Sequence, residues 1–332
     1  MHYYSEADAD PALLRGKTVV ILGYGNQGRA HALNLRDSGV ADVRVAQRTG
    51  STAVAAAQED GFPVISNQEA AAVADVLMVL APDEAHAQIW QDDLSGRMKA
   101  GATLAFAHGL SVHFGLVEPD PSLDVILVAP KGPGHALRTR YQAGGGLPAL
   151  FAVAQDASGR AKDTALAYGA ALSAGSALLL ETSFRAECET DLFGEQTVLC
   201  GGISNLIMAG FDTLVEAGYP AELAYFECLH EAKLTVDLIH ERGIAGMRRA
   251  ISNTAEFGDY SAGSRIVDDR VRAEMRAILK EIQDGRFVRG FVADNAAGGP
   301  IMQAGRERQQ GHRSEAVGAR LRTAMGLGPK QP

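Results

Sequence analysis

The chain has 332 residues, enough for about two domains at roughly 100–200 residues each. Its formal net charge of -9 argues against a general nucleic-acid surface, and 46% hydrophobic residues at this length support a sizeable core. Three cysteines, Cys188, Cys200 and Cys228, give an odd count without metal-like spacing, which fits a reduced, cytoplasmic setting better than a disulfide framework.

The start, residues 1–10, carries Glu6, Asp8 and Asp10 and lacks the apolar centre of a secretory signal. No run reaches the ~20 apolar residues of a membrane span. Asp75 interrupts the best stretch, 70–81, so neither a membrane nor a nucleic-acid partner is expected. The run 17–22 reads as a strand that meets Gly23, with a helix predicted from about 27 to 38. Further strands are predicted at 43–46, 76–80, 103–107, 125–129, 150–154 and 177–180. Short apolar strands alternating with helices give an α/β, Rossmann-type, doubly wound parallel sheet. After Thr182 the apolar spacing turns helical, near 184–200, 202–217, 220–242 and 265–284. Gly201-Gly202, Gly218-Tyr219-Pro220 and Gly243 punctuate those helices. The expected domains are therefore 1–182, the dinucleotide-binding sheet, and 183–328, a helical domain. The tail after Gly298, rich in Gly, Arg and Gln, reads as partly mobile, with a final helix at 316–325.

Gly23-Tyr24-Gly25-Asn26-Gln27-Gly28 matches G-x-G-x-x-G between a predicted strand and a predicted helix, the context that gives this motif its value. The first glycine allows the turn, the second lets the backbone approach a pyrophosphate, and the third permits close helix packing. The helix N-terminus then faces the phosphates. An NAD site usually carries an acid about 20 residues further on. Here Gln47-Arg48-Thr49-Gly50-Ser51-Thr52 holds no carboxylate. Arg48 and Ser51 suit a 2′-phosphate, so NADPH is the expected cofactor.

Ligands of open α/β sheets bind beyond the carboxyl ends of the strands. One such end carries Asp83, Glu84, Ala85 and His86, expected to border the cofactor; a second carries His108; a third carries Lys131 and Gly134. His108 and Lys131 are the expected catalytic side chains of this edge, and Gly134 joins the cofactor set. A lone histidine is more often structural and a lone lysine is usually just solvated; their shared placement at strand ends favours a role.

In the helical half, Asp191 and Glu195 lie four residues apart, as do Glu227 and Glu231. On a helix each pair shares one face, where like charges repel unless a cation sits between them. Four hard oxygen ligands suit Mg²⁺.

With these motifs the chain resembles the ketol-acid reductoisomerases, also called acetohydroxyacid isomeroreductases, in their short class I form. The resemblance runs over nearly the whole chain. It rests on the glycine fingerprint, Ala105-Phe106-Ala107-His108-Gly109, and Ala129-Pro130-Lys131-Gly132-Pro133-Gly134-His135. Its most specific stretch is 187–196, with Leu199-Cys200-Gly201-Gly202, 224–231 and Ile251-Ser252-Asn253 beyond it. The resemblance implies conversion of 2-acetolactate to 2,3-dihydroxyisovalerate, or of 2-aceto-2-hydroxybutanoate to 2,3-dihydroxy-3-methylpentanoate, in valine and isoleucine biosynthesis. It implies two Mg²⁺ ions, with Asp191 bridging both, Glu195 holding one, and Glu227 and Glu231 forming the opposite pair. Ser252 matches a residue that contacts the substrate carboxylate, and Glu231 is also the candidate proton shuttle. The family's helical domain is knotted and pairs with a second copy, so a homodimer is the minimum unit and a dodecamer the larger alternative. Two departures stand out: Ala53 replaces a hydroxyl or an acid, which leaves room for NADH, and 292–308 differs from the usual pattern. The competing readings are a metal-independent hydroxyacid or imine dehydrogenase, a non-catalytic NADP-binding regulator, and a paralogue with a specialised substrate.

Overall fold

The short β-branched runs fold as strands wherever both faces can be covered. In the computed structural model, which describes residues 2–174 and 176–327, nine strands are present among the described residues. They are β1 (Tyr3–Tyr4), β2 (Thr18–Leu22), β3 (Asp42–Ala46), β4 (Val64–Ile65), β5 (Val76–Val79), β6 (Thr103–Phe106), β7 (Asp124–Pro130), β8 (Ala149–Gln155) and β9 (Leu179–Glu181). All join one sheet in the order β1-β9-β8-β7-β6-β5-β2-β3-β4. The stretch from β4 to β7 is parallel throughout, and its strand order reverses direction between β2 and β5. That is the doubly wound arrangement, with its ligand crevice at the reversal.

Among the described residues, seven α-helices accompany this sheet: α1 (Asn26–Asp37), α2 (Ala53–Glu59), α3 (Asn67–Val73), α4 (His86–Ile89), α5 (Leu110–His113), α6 (Gly134–Gln142) and α7 (Ala161–Ala171). Val19, Ile21, Val76 and Met78 point to one core, with Leu33 of α1, Leu137 of α6 and Ala165 of α7. Val20, Leu22, Leu77 and Val79 point to the other, with Ala70 of α3 and Trp90. The alternation follows from the two-residue period of a strand. Two strands depart from the expected parallel order: β8 runs antiparallel to β7, with Pro130 opposite Ala149, and β9 follows β8 in parallel. The chain leaves β7 into α6 and comes back at the edge it left, so no crossover reverses its direction.

The chain divides into two compact units after Thr190, inside α8 (Phe184–Gly194). Residue 328, the expected end of the helical domain, lies outside the described residues. In the second unit a π-helical turn, Glu195–Leu199, leads to α9 (Gly201–Glu216), then α10 (Ala221–Tyr225) and a second π-helical turn, Phe226–His230. α11 (Glu231–Arg248) follows, kinked at Gly243, whose φ of 70° and ψ of 168° suit only glycine. α12 (Asn253–Ile266), α13 (Asp269–Gln283), α14 (Arg286–Ala296), α15 (Pro300–Gln310) and α16 (Arg313–Ala324) complete it. No strand occurs among its described residues. Its core gathers Phe211, Ala221, Ala224, Tyr225 and Val317. Where a loose tail is expected, α15 stands. The Asp294 carboxylate accepts the Ile301 N–H at 2.8 Å and caps its start, next to Pro300 in the first turn. α15 buries no residue among those described.

The helical run Phe184–Glu216 is long and apolar enough, by length and composition, to cross a membrane. Gly201, Gly202, Ser204 and Asn205 break it into pieces too short to register as an unbroken apolar run. Only 6% of its apolar window is buried within the chain. Leu199, Leu206, Leu234, Phe257 and Ile301 of this unit are likewise exposed.

The first unit also buries a histidine completely. His31 of α1 lies against Tyr168 of α7, with its Nδ1 3.0 Å from the hydroxyl. Burial pushes its imidazole down from 6.5 to about 3. The unfolded chain therefore takes a proton near pH 6.5 that the folded chain refuses until about pH 3. Stability is full above pH 6.5 and is lost as pH falls through that window, at about 1.4 kcal/mol per pH unit. Urea unfolding of the wild type and of His31→Gln at pH 7, 5 and 4 should show this slope in the wild type and a shallower one in the variant.

Candidate active site

The glycine fingerprint sits at the carboxyl end of β2. Gly23 has φ of +103°, and a Cβ there would lie 2.5 Å from the Leu80 carbonyl oxygen. A Cβ on Gly28 would lie 2.1 Å from the Gly23 carbonyl oxygen, so α1 packs on the turn as closely as backbone allows. Gly25 caps α1 without a side-chain hydrogen bond. The first N–H groups of the helix are therefore open to an anion. They border a cleft of about 1070 Å³ lined by the fingerprint from Gly23 to Gln27, by Arg48 and Ser51 beyond β3, and by Pro82, Glu84 and Ala85 beyond β5.

Tyr24 holds the turn in place. Its hydroxyl donates to Asp60 at 2.7 Å, and Asp60 takes two hydrogen bonds from Arg29, at 2.6 and 2.9 Å. Burial and the Asp60 carboxylate push the phenol upward. Gln27 donates from Nε2 to the Gly132 carbonyl at 2.9 Å, and a Cβ on Gly134 would lie 2.2 Å from the Asn26 carbonyl oxygen. The fingerprint is thus seated on the loop that carries Lys131. Gly134 itself lines a second depression of about 460 Å³, with Arg29 and Arg138.

Asp83 and His86, expected to border the cofactor, do not line the large cleft. Asp83 turns to the next strand end, where its Oδ2 lies 2.9 Å from Nδ1 of His108. His86 is buried, with Nε2 2.9 Å from the Ala81 carbonyl and Nδ1 2.8 Å from the Ser111 hydroxyl. Burial on its own would lower the His108 imidazole. The Asp83 hydrogen bond, the Cys188 thiol and the Glu187 charge outweigh it and lift the group to about 11. Burial pushes His86 down instead.

Lys131 donates from Nζ to Oε1 of Glu187 at 2.7 Å, and the Gly109 N–H donates to Oε2 at 2.9 Å. Glu187 is 1% exposed, so its charge is kept by these two donors. On the same helix, Glu189 meets His113 at 3.3 Å and Arg185 at 2.9 Å. The first turns of α8 are therefore tied to the sheet's edge, which is why the division of the chain falls after Thr190 rather than where the helical pattern begins.

The acid pairs lie in the second unit. Asp191 is half-buried, and Glu195 opens the first π-helical turn. Glu227 lies in the second π-helical turn and Glu231 begins α11. Single π-helical turns inside α-helices recur at functional sites. Among the described residues of the single chain, no three His, Cys, Asp or Glu side chains gather as a metal site. Ser252 caps α12, its Oγ accepting the Ala255 N–H at 3.2 Å.

Comparison with known proteins agrees with this architecture. Residues 13–177 match the family model described as the acetohydroxy acid isomeroreductase NADPH-binding domain, and residues 184–326 match the ketol-acid reductoisomerase C-terminal domain. An NADH-preferring ketol-acid reductoisomerase from an uncultured archean is 42% identical, with a TM-score of 0.94 over 97% of this chain and 99% of that one. The chain belongs to the ketol-acid reductoisomerase family. A putative oxidoreductase from Jannaschia sp. CCS1 is 15% identical at a TM-score of 0.60, over 80% of this chain and 97% of that one. A pyrroline-5-carboxylate reductase from Coxiella burnetii is 13% identical at 0.57, over 81% and 98%. These two share the fold alone.

The site of this reductoisomerase includes one group that the spacing of residues does not reveal. Glu187 stands inside the most specific sequence stretch, but its part appears only when Gly109 and Lys131 converge on it. A glutamine there would place its NH₂ against either the Gly109 N–H or the Lys131 ammonium, donor to donor, at a cost of about 1–3 kcal/mol. Glu187→Gln should keep the fold by circular dichroism and lower kcat at least about tenfold in a steady-state assay.

Proposed function

We propose that this protein is a reductoisomerase of 2-acetolactate and 2-aceto-2-hydroxybutanoate that depends on NADPH and two Mg²⁺ ions. The observation that carries this reading is the pair of carboxylate pairs, each beside a π-helical turn, in a chain with a dinucleotide cleft. Asp191, Glu195, Glu227 and Glu231 offer only carboxylate oxygens, the donors Mg²⁺ takes. Within one chain they do not gather, and apolar side chains of the same unit stand exposed. Both facts support a homodimer in which each protomer lends one pair, with a dodecamer as the larger alternative. No nucleic-acid or membrane partner enters this reading, and the expected setting remains the cytoplasm.

When bound, the two ions supply Lewis acidity for the developing alkoxide, and the nicotinamide supplies the hydride. The chain's own groups do the rest. Glu231 takes the substrate's hydroxyl proton as the alkyl group migrates. The Lys131 ammonium steadies charge on the reacting oxygens, and His108 holds a proton beside them. Ser252 already accepts a backbone N–H, which leaves its O–H to donate to the substrate carboxylate at the start of α12.

Arg48 and Ser51 line the cleft where the adenosine ribose of a dinucleotide lies, and no carboxylate stands beside them on this loop. They support NADPH, and Ala53, which offers no hydroxyl, leaves NADH usable. The NADH-preferring relative fits that second use. Arg48→Ala should raise KM for NADPH by about 10- to 100-fold, the worth of a charge-assisted bond, and leave KM for NADH within a few-fold.

NADPH oxidation with 2-acetolactate, with and without Mg²⁺, tests the whole reading. Turnover should need the metal and stop with EDTA. Asp191→Asn and Glu227→Gln should abolish isomerisation and leave NADPH binding nearly unchanged. Full activity in EDTA would instead point to a metal-free dehydrogenase.

A further inference from the structure

We infer that Asp83 is the positioning residue of an Asp83–His108 dyad, holding the imidazole by Nδ1–H so that Nε2 is its proton-exchanging atom. The inference rests on the reading that His108 serves the reaction, and it goes further by assigning the atom and its orienter.

The geometry fixes the protons. Asp83 Oδ2 lies 2.9 Å from Nδ1 of His108, and a carboxylate accepts, so Nδ1 must carry hydrogen. His86 is the other imidazole near Asp83, with Nδ1 3.7 Å from Oδ1. Its Nε2 faces the Ala81 carbonyl at 2.9 Å, which only accepts, so Nε2 is the donor there. Burial keeps His86 neutral, so its Nδ1 is a lone pair that accepts from the Ser111 hydroxyl at 2.8 Å. His86 therefore has no proton to offer Asp83, and the carboxylate serves His108. Nε2 of His108 is buried and makes no hydrogen bond of normal geometry, and the Cys188 thiol is the other polar side chain that acts on the ring. A carboxylate on Nδ1 that selects the tautomer and steadies the imidazolium is the arrangement of general acid–base histidines in other enzymes.

The charged and titratable neighbours of His108 come from three elements. Asp83 and His86 follow β5, Glu187 and Cys188 lie on α8, and Lys131 at the end of β7 acts through Glu187. Of these, Asp83 makes the charged hydrogen bond to the ring. Its neutralisation leaves burial as the dominant influence, so the imidazole's titration should fall.

Nitrogen-15 NMR of the histidine rings in the Mg²⁺- and NADPH-loaded enzyme reads the dyad directly, beside the pH dependence of kcat. In the wild type Nδ1 of His108 should stay protonated through pH 9. In Asp83→Asn the His108 midpoint should drop by about two pH units or more, and the alkaline limb of kcat should move with it. Asp83→Glu should recover most of both, and the NADPH Kd should change less than about threefold. An unprotonated Nδ1 in the wild type, or a midpoint that Asp83→Asn leaves in place, overturns the inference. So does a kcat limb that stays put while the midpoint moves. If the wild type turns over no acetohydroxy acid, the functional reading fails, and the NMR still decides whether the dyad exists.

Discussion

One buried carboxylate organises the carboxyl edge of the sheet. Glu187 binds the Gly109 N–H with one oxygen and the Lys131 ammonium with the other. A charge this deeply buried is tolerable only when paired and hydrogen-bonded, so both partners are held as firmly as the fold itself. Through Gly109 it fixes the strand end that carries His108. Through Lys131 it fixes the loop on which the glycine fingerprint rests by way of Gln27. The cofactor cleft, His108 and Lys131 are thus joined mechanically within the first unit.

The features legible in the sequence are those set by local rules. The strand–turn–helix context of Gly23 to Gly28 predicted the cofactor turn, and that turn stands at the sheet's reversal point. Apolar spacing predicted the helices after Thr182, and Gly243 interrupts α11 as a backbone break. Long-range relations were not legible. Whether β8 runs parallel or antiparallel depends on where α6 returns the chain, and strand composition is the same either way. Asp83 reads as a cofactor-edge residue because neighbours in sequence suggest neighbours in space; its partner, His108, lies 25 positions on. Glu187 stands four residues before Asp191, the spacing of the acid pairs, and that spacing does not point to Gly109 and Lys131. α15 escaped notice because its Gly-, Arg- and Gln-rich composition reads as a tail.

The acid pairs show a different limit. Their four-residue spacing is plain in the sequence, and π-helical turns adjoin both. The wider turn shifts the rotational position of following side chains relative to an α-helix, and the strain it costs is most easily explained by a use. Among the described residues of one chain the two pairs do not gather, although the sequence displays all four groups plainly.

The sheet's outer strands carry a consequence for assembly. β1 and β4 have two residues each, so neither margin presents a row of unpaired backbone groups long enough to template another strand. Such short outer strands disfavour association by extending the sheet. The helices of the second unit carry most of the exposed large apolar side chains among the described residues, Leu206, Leu234, Phe257 and Ile301 among them.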